Sequence, residues 1–137
     1  DKYGKFILVT TKFAMGNNVD DWRSRDNKIV RNKHDISDTI FQKKTMESFI
    51  KTLINLSEKC PELNIIIRPH PSENLTKWHE IFDNHKKIRV IIDQQNTCCW
   101  IAASQYIIST NCHTSMESYL LGKQSINFAP VQNKKVE

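Results

Sequence analysis

Two short segments carry the residue types best suited to chemistry. In IIIRPHPSEN, Ile65 to Asn74, an apolar run delivers Arg68 and then His70, and Pro69 and Pro71 bracket the histidine. The prolines remove backbone donors and restrict the backbone on either side, so the imidazole is presented rigidly. A fixed imidazole can donate to a phosphate oxygen, and the Arg68 guanidinium adds a planar fork of donors. A histidine that serves only the local structure of a strand end is the competing reading. In TNCHTSMES, Thr110 to Ser118, small polar side chains crowd the start of a predicted helix. Free N–H groups and the positive end of the helix dipole favour an anion there. Ordinary capping by Thr110, Asn111 or Thr114, with Glu117 completing a capping box with Thr114, explains the same residues and is compatible with the first reading.

Other phosphate and metal chemistries are poorly served. With Gly 3 in the whole chain, neither a dinucleotide fingerprint nor a P-loop can be written. There is no DxD motif and no His/Asp cluster at ligand spacing, so neither metal nor cofactor is expected. Asp20-Asp21 lies in a polar segment and reads as a solvated turn.

The elements that must position these residues alternate along the chain. KFILVTT (Lys5 to Thr11) is a first strand, and a polar stretch from Lys12 to Asp38 follows, with Gly16-Asn17-Asn18 as a turn signal. The spacing of Phe49, Ile50, Leu53, Ile54 and Leu56 predicts a helix from Ile40 to Lys59, capped by Ser37 or Asp38 and followed by Pro61. LNIIIR, IRVII, QYIIS and QSINF read as four more strands, separated by helices over Leu75 to Asn84, Thr97 to Ser104 and His113 to Leu121. Gly122 is placed to stop the last helix in a left-handed conformation. Consecutive Ile and Val in such an alternation imply a Rossmann-like parallel sheet of about five strands with helices on both faces. Ligands of such sheets collect at the carboxyl ends of the strands. That rule selects KFAMGNN, RPHPSEN and TNCHTSMES.

At 137 residues the chain is sized for a single domain, here 1–137, and its 39% hydrophobic content suffices for an ordinary core. No run of apolar residues is long enough for a membrane span, and the first residues lack a signal-peptide layout, so a cytoplasmic chain is expected. Cys60, Cys98, Cys99 and Cys112 form no CxxC and are expected to be reduced, mostly buried thiols. The net charge of +5 is spread in small clusters and suits an anionic ligand or a peripheral position on an acidic membrane face. No zinc finger, RNP-like aromatic pattern or basic helix points to nucleic acid.

The RPHP segment, together with ASQYIISTNCHTSMESYLLGKQSINFAP, resembles the bacterial surface-carbohydrate (polysaccharide) biosynthesis proteins, most strongly from Ile65 to Pro130. Their wider relatives are the GT-B glycosyltransferases, including sialyltransferases and capsule Kdo-transferases that use CMP-sugars and carry an HP motif and a later Ser/Thr pair. The resemblance implies that this chain is the carboxyl-terminal, donor-binding half of a GT-B fold. His70 and Pro71 would form the HP motif, with His70 contacting the nucleotide phosphate or the cytidine side and, as the catalytic group, stabilising the leaving charge. Thr114 and Ser115 would be the phosphate-binding pair, and Glu117 would face ribose or base. Arg68 and Glu73 flank the motif, and Asn111 and His113 join the nucleotide-binding set. Three positions depart from the pattern: His113 stands for the usual Thr, Ser118 for Ala and Gln124 for Pro. The first touches the proposed site and leaves donor choice open.

The same resemblance implies a missing amino-terminal half that supplies the general base, a glycan acceptor, and a metal-independent transfer. Two alternatives stand beside it. One is a UDP-N-acetylglucosamine 2-epimerase-like enzyme, which has a histidine-proline pair but a glycine-rich SGG where this chain has NCHTS. The other is a non-catalytic docking module of an envelope pathway, in which Trp22, Trp78 and Trp100 would be contact aromatics, although each reads first as core or partly buried packing.

Overall fold

The computed structural model describes residues 2–13, 33–93, 95–110 and 113–130, with the side chains of 33–38 left out. Strands and helices alternate as β1 (Phe6–Thr10), α1 (Lys33–Lys59), β2 (Asn64–Arg68), α2 (Leu75–Phe82), β3 (Ile88–Val90), α3 (Thr97–Ala103), β4 (Tyr106–Ser109), α4 (Thr114–Leu120) and β5 (Ser125–Asn127). Among the described residues the strands form one five-stranded sheet in the order β3-β2-β1-β4-β5. Every pairing is parallel. The chain is therefore an α/β Rossmann-like unit, and the point where the strand order reverses lies between β1 and β4.

Strand alternation sorts the core into two layers. Ile7, Val9, Ile65 and Ile67 face α1 and α2, where Met46, Phe49, Leu53, Trp78 and Phe82 complete one cluster. Phe6, Leu8 and Ile66 face the other way and pack with Trp100, Ile101 and Ile107. Both faces of the central strands are covered, which is why β1 and β2 read as unbroken apolar runs rather than alternating ones. Trp78 and Trp100 belong to these layers, the core packing favoured for them over a role as contact aromatics. Trp22 lies outside the described residues.

α1 starts at Lys33, seven residues before the expected Ile40, so Ser37 and Asp38 lie inside the helix instead of capping it. Its first turns, KHDISDT, carry a single apolar residue, Ile36, so periodicity gives no signal for a helix start there. The expected buried thiols are also corrected. Cys60 and Cys98 are half-buried, Cys99 is exposed, and all three are free; Cys112 lies outside the described residues.

α4 packs by its small residues. Thr114 and Ser118 are buried one turn apart, while Met116, Tyr119 and Leu120 are exposed. Ser118 Oγ donates to the Thr114 carbonyl at 2.6 Å, so its burial leaves no orphan hydroxyl. The helix ends as expected at Gly122, with φ +68°. The Gly122 N–H bonds the Tyr119 carbonyl and the Lys123 N–H bonds the Ser118 carbonyl, the paired pattern of a Schellman cap. A Cβ at Gly122 would meet nothing within 4 Å, so only backbone conformation opposes a side chain there. Gly122→Ala is expected to lose about 1–2 kcal/mol in denaturant unfolding, with Gly122→Asn recovering part of it. An unchanged midpoint for the alanine variant would contradict this.

Candidate functional site

Register brings the chemistry to one level. Thr10 pairs with Arg68 on one side and with Ser109 on the other, so the segments after β1, β2 and β4 leave the sheet together. Ile67 pairs with Val90, which brings the segment after β3 to the same edge. A cavity of about 460 Å³ opens there, walled by Thr10 to Lys12, Arg68 to Pro71, Ile91 to Asp93 and the start of α4.

His70 is exposed on this wall, and its ring is fixed by its own turn. The Ser72 N–H donates to Nδ1 at 3.1 Å, and the Ser72 hydroxyl lies 2.6 Å from the same nitrogen. An accepting Nδ1 places the proton of the neutral ring on Nε2, which is left as a donor. Pro69 and Pro71 leave the His70 amide as the single backbone donor of the three residues, and it bonds Glu73 Oε2 at 2.9 Å.

Arg68 lines the cavity but its fork is already engaged. Its Nη2 donates to Asp93 Oδ1 and to the Gln95 carbonyl, both at 2.9 Å, and its Nη1 donates to Thr97 Oγ1 at 3.2 Å. The guanidinium also lies 5.5 Å from the centre of the Trp100 ring. It anchors the loop between β3 and α3, a role that the position after a strand did not reveal.

The other expected residues divide between the wall and the interior. Pro71, His113, Thr114 and Glu117 line the cavity. Ser115 does not; its hydroxyl pairs with Ser109 Oγ at 2.7 Å. Glu73 is fully buried and its carboxylate is held by protein donors, so it is no ligand contact. Asn111 lies outside the described residues.

The capping box between Thr114 and Glu117 does not form. The cap position belongs to His113, with no side-chain bond to the helix, so Thr114 is already helical and Glu117 sits one residue too far along to reach back. Thr110 does not cap the helix either. Its hydroxyl accepts from the Lys12 N–H at 3.1 Å and ties the end of β1 to the end of β4 across the reversal point. Lys12, Thr10 and Thr11 were missed as wall residues. The rule that ligands gather after strands had selected the segment that begins at Lys12, without naming these side chains.

Among the described residues no group of three His, Cys, Asp or Glu side chains gathers as a metal site would need. Among them also, no helix is long and apolar enough to cross a membrane.

No protein-family model matches the sequence, and no curated protein matches it. Solved structures do share its fold. S. aureus MnaA in complex with UDP aligns over 97% of this chain with a TM-score of 0.61 and 17% identity. Methanocaldococcus jannaschii UDP-GlcNAc 2-epimerase, bound to UDP-GlcNAc and UDP, aligns over 91% with a TM-score of 0.59 and 17% identity. The UDP-GlcNAc 2-epimerase of Neisseria meningitidis, bound to UDP-GlcNAc, aligns over 96% with a TM-score of 0.62 and 15% identity. This chain spans 30%, 30% and 29% of those chains. At such identities the likeness establishes the fold and leaves the chemistry to be argued from the site.

Proposed function

We propose that this chain is the nucleotide-sugar-binding part of a larger enzyme of GT-B-like architecture. The observation that carries the reading is the convergence of Lys12, His70, His113 and Thr114 on one cavity at the carboxyl ends of the strands. In this reading the His70 Nε2–H donates to a phosphate oxygen, Lys12 supplies charge, the Thr114 hydroxyl adds a bond, and Glu117 accepts from ribose hydroxyls. When the bond between the sugar and the nucleotide breaks, these groups stabilise the charge that gathers on the phosphate. The amino-terminal half supplies the general base and, in a transferase, the acceptor site.

Two reactions fit that site. A surface-polysaccharide glycosyltransferase using a CMP-sugar is supported by the RPHP segment and the Thr114-Ser115 pair. An epimerase-like reaction on a UDP-sugar is supported by the fold shared with three proteins solved with UDP or UDP-GlcNAc. The base is the discriminator. A cytoplasmic location at the inner membrane face goes with either reading and is supported by the net charge of +5.

Titration of UMP, UDP, CMP and CDP into the 137-residue chain, followed by amide NMR to millimolar ligand, tests this. Shifts at residues 68–71 and 113–117 that saturate with a uridine or a cytidine nucleotide identify the base and with it the reaction. No response there to any of the four overturns the proposal.

A further inference from the structure

We propose that Glu73 is the positioning residue of the cavity, a buried carboxylate that locks the two strand ends bearing Thr11 and His70 into one wall. Its effect on ligand affinity rests on the nucleotide-binding reading above; its effect on His70 does not.

The carboxylate is fully buried. A buried charge is retained only where protein donors replace water. Oε2 accepts from the Thr11 hydroxyl at 2.7 Å and from the His70 N–H at 2.9 Å. Oε1 accepts from the Trp78 indole N–H at 3.0 Å. These donors come from the end of β1, from the turn after β2 and from α2, and Trp78 is itself part of the core. One side chain therefore couples the cavity wall to the packed interior. The turn is closed a second time by the Glu73 N–H, which bonds the His70 carbonyl at 2.9 Å. The His70 amide is thus held by Glu73 while the ring is held at Nδ1 by Ser72, which leaves Nε2 without a partner inside the turn.

A carboxylate that merely stabilised the fold would affect every part of the domain alike. One that positions His70 must alter the ring and its turn first. Glu73→Gln separates the two roles. A carboxamide oxygen can accept from Thr11 and His70 only by turning its NH₂ toward the Trp78 N–H, so one donor is always opposed. Trp78→Phe is the matched control, because it deletes the indole donor and leaves both bonds to Oε2.

The measurement is ring ¹⁵N NMR of His70 in the ligand-free chain, with amide hydrogen exchange and UDP and CDP titrations alongside. In the unsubstituted chain the ring is expected as the Nε2–H tautomer with a protected His70 amide. In Glu73→Gln the tautomers mix, the protection of the His70 amide falls at least about tenfold, and nucleotide affinity falls about tenfold. Trp78→Phe keeps the ring state and the affinity. If Glu73→Gln folds with an unaltered ring, amide and affinity, the proposal is overturned. If that variant does not fold, exchange in the unsubstituted chain decides: a His70 amide exchanging like an exposed turn overturns the proposal, and a protected one supports it. A chain that binds no nucleotide overturns the functional reading, while the ring and amide results still test Glu73.

Discussion

Trp78→Ala is expected to remove most of the stability of the domain. Trp78 is fully buried, stacks on Phe82 with ring centres 6.0 Å apart and 6° between planes, and lies 6.2 Å from the ring of Phe13. Truncating a buried aromatic of this kind costs about 3–5 kcal/mol in lost packing and cavity formation. It also strips Glu73 Oε1 of its donor, and an unsatisfied buried polar group adds about 1–3 kcal/mol. Domains of this size are held by about 5–15 kcal/mol in total, so the combined loss is a large share of the stability and should shift the unfolding midpoint far downward. Trp78→Phe keeps most of the packing and loses only the second contribution. Denaturant unfolding followed by circular dichroism would order the variants as unsubstituted, Phe, then Ala. A loss below about 1 kcal/mol for the alanine variant would mean that α2 is not anchored to the core in this way.

The same residue marks where sequence reasoning reached its limit. The sheet was legible because its signals are local: Ile65 to Ile67 form an unbroken apolar run, Gly122 ends a helix, and each strand is short enough for one pattern to describe it. The position of the cavity at the carboxyl ends of the strands followed from topology alone, and His70, His113, Thr114 and Glu117 are brought together there. What could not be read was the destination of a side chain. Arg68 and Glu73 flank a promising histidine, yet one is engaged by the loop after β3 and the other by Thr11 and Trp78. Thr11, Asp93 and Gln95 lie far away in sequence, and although Trp78 is five residues from Glu73, no spacing rule encodes that pairing either. The capping box failed for the opposite reason, since its geometry is local but a shift of one residue destroys it.

The assignment of Nδ1 as acceptor makes the second large prediction sharper than an alanine substitution alone would allow. His70→Ala removes the exposed ring and its Nε2 donor. A hydrogen bond to a charged phosphate oxygen is worth about 1.5–3 kcal/mol, so nucleotide affinity should fall roughly tenfold to a hundredfold. Stability should change by no more than about 1 kcal/mol, because the ring is exposed and its backbone bonds to Glu73 remain. Two further variants divide the ring by atom. His70→Asn places an acceptor near the position of Nδ1 and can keep the bond from the Ser72 N–H, while lacking the outer donor. His70→Gln reaches farther and places an amide donor near the position of Nε2. If the outer donor carries binding, Gln retains more affinity than Asn, and Asn behaves like Ala toward the nucleotide while preserving the turn. Calorimetric titration of the four proteins with the preferred nucleoside diphosphate measures that order. Equal affinity for Gln and Asn would shift the function of His70 from its ring to its backbone, leaving Lys12 and the start of α4 to hold the phosphate.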